Sequence, residues 1–296
     1  MITMTKPKRT SLLATELRQI RSKATGKNFQ ISIALPFAYV DDSINIAPFD
    51  KPLTAWPVVY LTDANWYFGM VTDIVRSMAW CGRTTDAIIV GIGYPEEESL
   101  RETWRKGVAG RTQDLTPMHS EKSDKYNSEW LQLDVNTGGG GKFYKFIKQE
   151  LIPLIDQEYR TDPAKRILAG HSHGGLFSMF AMFQEPGLFS SYIASSPSLN
   201  FADNSMFTLE SEFAKKHKSL PAQIYLSAGE LEEGADTTDL TDMYRFAALL
   251  ESRKYKGFSL TKQVFLDNNH CEVPALAFQA GLKLALKVSS LGTNHP

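Results

Sequence analysis

The stretch Arg166-Ile-Leu-Ala-Gly-His-Ser172-His-Gly-Gly-Leu-Phe-Ser-Met-Phe180 decides the fold of this chain. A short apolar run leads into Gly-His-Ser-His-Gly-Gly, and a run typical of a helix follows directly. A strand, a sharp turn and a helix in this order form a nucleophile elbow, with the serine at the tip of a strained turn. Gly170 and Gly174 lack Cβ atoms, which lets the strand and the helix approach closely. We therefore interpret Ser172 as a nucleophile; the alternative is an ordinary glycine-rich turn before a helix.

The whole chain has the size of one large α/β domain or two small ones, with 296 residues of which 43% are hydrophobic. Its net charge is -1 and its lysines and arginines are dispersed, which favours a small-molecule partner over nucleic acid or an anionic membrane. No stretch reaches the roughly 20 apolar residues of a membrane span or the roughly 7–15 of a secretory signal core. We therefore expect a cytoplasmic protein that binds neither membranes nor nucleic acid.

Short apolar runs rich in Val and Ile alternate with stretches of helical periodicity along most of the chain. This alternation predicts an α/β fold, a doubly wound and mostly parallel sheet with helices on both faces. We expect a polar leader over residues 1–27 and a single domain over residues 28–290. The pattern breaks down over residues 95–141, which predicts an irregular insertion near the active site with a mobile glycine run. Helical periodicity resumes at residues 142–156, where Pro153 is expected to end or kink the helix.

A serine hydroxyl needs a base within hydrogen-bond reach and an acid that orients the base. In the α/β-hydrolase arrangement the order along the chain is Ser, acid, His, with the acid and the histidine on loops that follow strands. His270 directly follows the last predicted strand, so we interpret it as the general base. His171 and His173 form a His-x-His pair, but a structural zinc site needs four ligands and no second His or Cys cluster accompanies them. We expect no metal and no cofactor.

Four carboxylates follow the predicted strand at residues 223–227, in the stretch Ala228-Gly-Glu-Leu-Glu-Glu-Gly-Ala-Asp236. Glu232, three residues beyond the first glycine, is the first choice for the acid, and Glu230 is the second. Glu233 and Asp236 are weaker candidates. At least three of the four must be ordinary solvated loop charges.

A serine nucleophile of this kind also needs an oxyanion hole, normally made by the backbone N–H of the residue after the nucleophile and by one from the loop after an earlier strand. His173 supplies the first N–H. The second is expected from residues 62–65, directly before a predicted helix, with Asn65 or Ala64 as the donor.

Several motifs resemble those of one known family. They are Val58-Val-Tyr-Leu-Thr-Asp63-Ala-Asn65, Val90-Gly-Ile-Gly-Tyr-Pro95, Arg111-Thr-Gln-Asp-Leu-Thr-Pro117, Gly170-His-Ser-His-Gly-Gly175, Ser195-Ser-Pro-Ser-Leu199, Ser227-Ala-Gly-Glu-Leu-Glu232 and Asn269-His270. In this order they resemble the putative-esterase branch of the α/β hydrolases, which includes esterase D, siderophore esterases and feruloyl esterases. The resemblance implies Ser172 as nucleophile and His270 as base. The acid differs between members, and this chain has Asp63-Ala64 where others have Asp-Gly.

The resemblance implies a serine carboxylic-ester hydrolase that forms an acyl-enzyme with a small-molecule ester. A siderophore-like ester is one substrate of this kind. Arg111, Trp104 and Trp130 are candidate substrate-binding residues; the alternative is a mixed solvated loop with two anchoring tryptophans. Glutamates 96–98 lie close by in the sequence, so the local charge does not select an anionic substrate. Acyl transfer on the same fold and a catalytically inactive binding protein are the alternative functions. The sequence leaves the oligomeric state open.

Overall fold

The computed structural model describes residues 11–44, 53–234 and 237–288. At its centre is an eight-stranded sheet. Its strands, numbered along the chain and given with their residues below, lie in the order β1-β2-β4-β3-β5-β6-β7-β8. From β4 to β8 neighbouring strands run parallel, and β2 and β1 extend one edge by antiparallel pairing. The strands are β1 (Thr15–Arg21), β2 (Asn28–Ala34), β3 (Trp56–Leu61), β4 (Ile88–Gly93), β5 (Thr161–His171), β6 (Ser191–Ser195), β7 (Ser219–Gly229) and β8 (Lys256–Phe265).

Helices cover both faces of the sheet. Apolar side chains of α2 and α10 form one core layer with the sheet, and those of α5 to α9 form the other. The predicted doubly wound α/β-hydrolase fold is thus confirmed. The helices are α1 (Phe37–Val40), α2 (Ala64–Trp80), α3 (Leu100–Asp114), α4 (Glu121–Leu131), α5 (Gly140–Phe146), α6 (Ile152–Glu158), α7 (His173–Gln184), α8 (Phe201–Lys216), α9 (Asp239–Arg253) and α10 (Val273–Ala285).

The N-terminal segment differs from its prediction. Residues 1–10 lie outside the described part of the chain, but Thr15–Arg21, expected to belong to a polar leader, form the edge strand β1. Leu17 pairs with Ser32 and Ile20 with Phe29 in the antiparallel register with β2. An edge strand with one solvated face carries many charged residues, which is why the sequence here looks like a leader.

The segment over residues 95–141 is helical, and its prediction as an irregular insertion is wrong. Ser99 Oγ accepts a hydrogen bond from Glu102 N at the start of α3, and Ser120 Oγ accepts one from Ser123 N at the start of α4. Both helices are polar and have few apolar positions, so their periodicity is weak in the sequence. The glycine run is also fixed in place, because Gly139 N and Gly140 N donate to backbone carbonyls of residues 113 and 116.

The helix that contains Pro153 does not end there. Helix α5 continues through a π-helical turn, Ile147–Leu151, into α6, and Pro153 lies in the first turn of α6. A proline lacks the N–H that an α-helix needs, and a wider turn directly before it accommodates the missing hydrogen bond. None of the described helices is long and apolar enough to span a lipid bilayer.

Candidate active site

Ser172 lies at a sharp turn between a central strand and a buried helix. Strand β5 ends at His171, and α7 begins at His173. The backbone of Ser172 has φ 60° and ψ -121°, a strained conformation for a residue with a side chain. Ser172 N donates to Ser195 O at the end of β6, over 2.9 Å, and this bond holds the turn. The local geometry is that of the predicted nucleophile elbow.

The two glycines of the elbow are required by close contacts. A Cβ atom on Gly170 would lie 2.3 Å from the backbone of Gly174. A Cβ atom on Gly174 would lie 2.3 Å from Thr62 Oγ1 at the end of β3. Distances this short exclude a side chain at either position, so the Gly-x-Ser-x-Gly spacing has the steric cause that the sequence predicts.

His270 lies on the loop after β8 and is hydrogen-bonded to Glu232. His270 Nδ1 is 2.5 Å from Glu232 Oε2, and Glu232 Oε1 accepts from Ser196 Oγ at 2.6 Å and from Gly229 N at 2.7 Å. Burial by itself raises the pKa of Glu232, but the hydrogen bonds from His270, Ser196 and Gly229 outweigh it and leave this pKa below its usual value. An ionised carboxylate only accepts, so His270 Nδ1 is the donor.

Two of the other three candidate acids, Glu230 and Glu233, lie in the described part of the chain and have other partners than His270. Glu230 Oε2 accepts from Asp267 N, at 2.9 Å, and thereby ties the loop that carries His270. Glu233 accepts from the backbone N and the hydroxyl of Thr241 in the first turn of α9. Asp236 lies outside the described residues. Of the candidates that the structure describes, Glu232 alone has its carboxylate hydrogen-bonded to the imidazole.

Asp239, at the start of α9, is a second carboxylate close to His270. One ligand atom from each of Glu232, Asp239 and His270 lies within 4.8 Å of the others. Burial raises the pKa of Asp239, against the opposing effect of the Thr237 hydroxyl. Both carboxylate oxygens of Glu232 already accept hydrogen bonds. We therefore interpret the three residues as an acid–base pair, Glu232 and His270, with Asp239 as a neighbouring carboxylate. The sequence analysis did not identify Asp239.

The end of β6 and the loop after it contact three residues of this site, His171, Ser172 and Glu232. Ser195 Oγ lies 3.0 Å from His171 Nδ1, and Ser198 Oγ lies 3.5 Å from Ser172 Oγ. Between them, Ser196 donates to Glu232 as described above. The sequence analysis quoted this loop only as a family motif. Its three serines could have been singled out as a cluster of hydroxyls directly after a central strand.

His171 and His173, on either side of the nucleophile, are both neutral groups. Burial, followed by the charges of His270 and Arg111, holds the pKa of His171 well below its usual value. The His171 ring centroid lies 4.5 Å from that of His270, so His171 supports the imidazole on the loop. Burial is also the main cause that lowers the pKa of His173 to about 3. The His173 N–H lies in the first turn of α7, where an N–H has no intrahelical acceptor.

The loop after β3 is the second segment that was expected to supply an oxyanion donor. Asp63 has a left-handed backbone, with φ 57°, and α2 begins directly after it. The N–H groups of Ala64 and Asn65 are therefore in a first helical turn and have no intrahelical acceptor. The side chain of Asn65 is bonded to the backbone of Tyr94 and lines a neighbouring cavity. The cavity beside Ser172 is lined instead by Asp63 and Trp66.

A cavity of about 350 Å³ opens beside the elbow. Ser172, His173 and His270 line its inner end, together with the exposed thiol of Cys271. Its outer walls include Trp66, Trp104 and Trp130. The structure thus brings the predicted substrate-binding residues Trp104 and Trp130 to the same cavity as the predicted nucleophile and base.

Arg111, the third predicted substrate-binding residue, also lines this cavity but is held by Asp63. Arg111 Nε donates to Asp63 Oδ1 at 2.7 Å and Arg111 Nη2 donates to Asp63 Oδ2 at 3.0 Å. Burial by itself would lower the pKa of Arg111, but the Asp63 carboxylate outweighs burial and raises it. The two side chains form a mostly buried bidentate pair, so Asp63 neutralises the guanidinium charge.

Comparisons with known proteins agree with this geometry. The family model described as "Putative esterase" matches residues 22–264. The chain is 32% identical, over 281 residues, to ferri-bacillibactin esterase BesA of Bacillus subtilis (strain 168), covering 92% of this chain and 89% of that protein. It is 27% identical to the siderophore enterobactin esterase of Emericella nidulans, over 73% of this chain and 69% of that protein. The crystal structure of BES protein from Bacillus cereus superposes with a TM-score of 0.77 at 26% identity, covering 96% of this chain and 100% of that chain.

Proposed function

The chain belongs to the putative esterase family and is a carboxylic-ester hydrolase, and from this premise we propose that Ser172, His270 and Glu232 are its catalytic triad. The observation that carries the proposal is the 2.5 Å hydrogen bond between His270 Nδ1 and the buried Glu232 carboxylate, with His270 lining the same cavity as the elbow serine. A carboxylate in this position fixes the tautomer of the imidazole and leaves Nε2 free to accept a proton.

In the proposed reaction, Ser172 Oγ attacks the ester carbonyl while His270 Nε2 takes the hydroxyl proton. Glu232 stabilises the imidazolium that results. His270 then gives the proton to the departing alcohol, and an acyl-enzyme forms on Ser172. A water molecule then attacks the acyl-enzyme by the same steps, with His270 as the base, and the carboxylic acid is released. Ser172 Oγ lies 3.5 Å from Ser198 Oγ, and we propose that it donates to His270 Nε2 in the reaction, since catalytic hydrogen bonds tighten on substrate binding.

We propose that the oxyanion of each tetrahedral intermediate is held by the His173 N–H and by an N–H of the first turn of α2. Ala64 and Asn65 are both candidates for the second donor, because each has an N–H without an intrahelical acceptor. A donor of this kind is worth roughly 2.7–4 kcal/mol in the transition state. Because both donors belong to the backbone, side-chain substitutions at these positions are not expected to remove them.

We further propose that the substrate is a small siderophore-like ester. This proposal is supported by two relatives, a ferri-bacillibactin esterase and a siderophore enterobactin esterase. The cytoplasmic location expected from the sequence stays a prediction, and cell fractionation with an antibody to the chain tests it. Acyl transfer would appear as ester exchange when a competing alcohol is added to the assay.

A fluorophosphonate probe tests the proposed nucleophile. We expect the wild-type protein to be labelled on the peptide that contains Ser172 and the Ser172→Ala variant to remain unlabelled. Hydrolysis of p-nitrophenyl butyrate, enterobactin and bacillibactin by the two proteins then links labelling to turnover. Labelling of Ser172→Ala at the wild-type rate, or no labelling of the wild type, would show that the proposal is wrong.

A further inference from the structure

A second cavity, of about 690 Å³, lies between helix α10 and the last two strands of the sheet. It shares no described lining residue with the catalytic cavity. We call it the α10 groove, after the wall that Ala280, Lys283, Leu284 and Lys287 form at the end of α10. Its volume is within the range of about 300–1,000 Å³ that is typical of ligand cavities. The proposed esterase reaction makes no use of it.

Three cationic side chains line the α10 groove, those of Arg83, Lys283 and Lys287. None of the described residues that line it is an aspartate or a glutamate, and none of the three cations forms an ion pair with a described residue. Lys106 and Arg253, elsewhere in the molecule, both have carboxylate partners. The groove thus has a local excess of positive charge in a chain whose net charge is -1. Such an excess attracts an anionic ligand.

Cations near the C-terminal end of a helix often interact with its last carbonyls, which lack intrahelical donors. In the α10 groove, backbone N–H groups already bond to such carbonyls. At the end of α2, Met78 O accepts a hydrogen bond from Arg83 N. At the end of α10, Leu282 O accepts one from Leu286 N, and Leu286 O accepts one from Thr85 N. The charged ends of the three cationic side chains are therefore left for a ligand.

The rest of the α10 groove is uncharged and partly apolar. Ala280, Leu284 and Val288 provide carbon surface beside the cations. On the sheet side, Tyr225 OH donates to Gln263 Oε1 over 2.8 Å. This bond fixes the orientation of the Gln263 amide and leaves its NH₂ group as a further donor. The groove therefore offers positive charge, a neutral hydrogen-bond donor and an apolar surface in one place.

We propose that the α10 groove is a binding site for a phosphate monoester that carries an apolar chain. A phosphate monoester has a charge of about -1.5 to -2 at pH 7 and three acceptor oxygens, which match three cationic side chains. A carboxylate has one charge and matches them less well. The chain of the ligand contacts Ala280, Leu284 and Val288. Two sources supply this chemistry, a free alkyl phosphate and the headgroup of phosphatidic acid in a membrane.

Calorimetric titration at low ionic strength tests the site with three probes, octyl phosphate, octanoate and inorganic phosphate. We expect the wild type to bind octyl phosphate most tightly, because octanoate has less charge and inorganic phosphate has no chain. The double variant Lys283→Gln/Lys287→Gln should bind octyl phosphate about tenfold more weakly, for the loss of two charge contacts. Lys142→Gln/Lys145→Gln is the matched control, since it removes the same charge from α5 on the other face of the sheet. Its affinity should equal that of the wild type.

Two further measurements separate the α10 groove from the catalytic cavity. Reaction of Ser172 with fluorophosphonate should leave the affinity for octyl phosphate unchanged, because the two cavities share no described lining residue. Lys283→Gln/Lys287→Gln should hydrolyse p-nitrophenyl butyrate at the wild-type rate, which also shows that it is folded. Added salt should weaken the binding of octyl phosphate, since the charges are exposed to solvent.

Vesicles of phosphatidylcholine, with and without phosphatidic acid, distinguish the two sources of the phosphate. Sedimentation of the wild type with the vesicles that contain phosphatidic acid, reduced in Lys283→Gln/Lys287→Gln, would identify a membrane lipid. Binding of octyl phosphate without sedimentation would identify a free phosphate. Equal affinities of the wild type and the double variant for octyl phosphate would overturn the proposal. Binding of octanoate as tightly as octyl phosphate by the wild type would also overturn it, without reference to any variant.

Discussion

The loops at the carboxyl ends of the central strands and a group of exposed aromatic side chains lie around the same cavity but differ in burial. The group, which we call the aromatic lip, consists of Trp66, Trp104 and Trp130, which line the cavity, and Tyr126, which stacks on Trp130. At the strand ends, the Glu232 side chain is 2% exposed and accepts three hydrogen bonds, and His171 is buried against Ser195 and His270. In the aromatic lip, Trp130 and Tyr126 are more than half exposed. We refer to the first region, residues 171–173, 195–198, 229–232 and 270, as the catalytic edge.

This difference follows from what each region has to do. Proton transfer between Ser172 and His270 depends on positions fixed to within fractions of an ångström and on exclusion of water, which buried hydrogen bonds provide. Contact with a substrate requires open side-chain surface, which burial would remove. We therefore expect substitutions in the catalytic edge to change the rate of the reaction, and substitutions in the aromatic lip to change substrate preference. The Asp63–Arg111 pair joins the two regions, since Arg111 lies on α3 with Trp104 and its Nη2 also donates to His171 O at 3.5 Å.

Substitution of the buried acid has the largest expected effect within the catalytic edge. Glu232→Gln keeps the shape of the side chain but removes the charge that fixes the His270 tautomer. We expect kcat/KM for p-nitrophenyl butyrate to fall about 10²- to 10⁴-fold. Glu230→Gln and Asp239→Asn are the matched controls and should cost less than about tenfold, because neither carboxylate is hydrogen-bonded to the imidazole. Full turnover by Glu232→Gln, or a larger loss in Asp239→Asn, would contradict the assignment of the acid.

Removal of the charge that joins the two regions should lower stability. Asn tolerates the left-handed backbone at position 63, so Asp63→Asn mainly leaves the Arg111 guanidinium mostly buried without its counter-ion. We expect the free energy of unfolding in urea to fall by about 3 kcal/mol. Glu158→Gln, which removes the partner of the more exposed Arg18, should cost less than about 1 kcal/mol. Equal losses in the two variants would show that Asp63 and Arg111 do not hold the regions together.

Acid sensitivity should originate partly in the catalytic edge. The pKa of His173 is about 3 in the folded protein and about 6.5 in an unfolded chain, so the unfolded state binds the extra proton between these pH values. The free energy of unfolding therefore falls as the pH decreases from about 6.5 towards 3, by at most about 1.4 kcal/mol per pH unit for this group. His173→Phe should reduce that slope, and His119→Phe, on an exposed side chain, is the control. A slope unchanged by His173→Phe would contradict the buried neutral state.

Loosening of the aromatic lip should have the smallest effect. Arg105 donates to the backbone carbonyls of Leu131 and Gln132, and so attaches the end of α4 to α3. Arg105→Met should lower the free energy of unfolding by about 1–2 kcal/mol. The rate of p-nitrophenyl acetate hydrolysis should stay within about twofold of the wild-type rate. Lys106→Met, which removes an exposed ion pair, controls for the loss of a charge. A tenfold slower hydrolysis in Arg105→Met would show that the two regions are not separable.

The sequence predicts those parts of the fold whose residue types are dictated by complete burial or by close contact. Strands β3 and β4 are buried on both faces and are continuous apolar runs, and the elbow requires glycines by contact. Helices α3 and α4 were missed because most of their residues are polar. Their start signals were present nonetheless: Ser99 stands three residues before Glu102, and Ser120 precedes a first turn with the acidic residues Glu121 and Asp124. The sequence analysis did not predict strand β1, because an edge strand needs apolar residues on one face at most and its sequence is therefore largely polar.

In the proposed site, the sequence suggests Ser172, Glu232 and His270 by their positions after strands but does not show what surrounds them. The contacts of Ser196 and Gly229 with Glu232 join three loops that are distant in sequence, and only the sheet order brings them together. Asp63 and Arg111, 48 residues apart, pair for the same reason. Trp66 and Tyr126 carry no local pattern that separates them from anchoring aromatic residues, so the sequence identifies only Trp104 and Trp130 of the aromatic lip.

The thiol of Cys271 follows the proposed base directly and lines the cavity, although the proposed reaction uses no sulfur. Alkylation of this cysteine would fill the part of the cavity beside His270, and we expect it to stop hydrolysis. An inhibitor survey would then show sensitivity to iodoacetamide and maleimides, the profile of a cysteine hydrolase, in a serine enzyme. Cys271→Ser should resist these reagents while it still reacts with fluorophosphonate. The same thiol is a natural attachment point for a fluorophore that reports when the cavity is occupied.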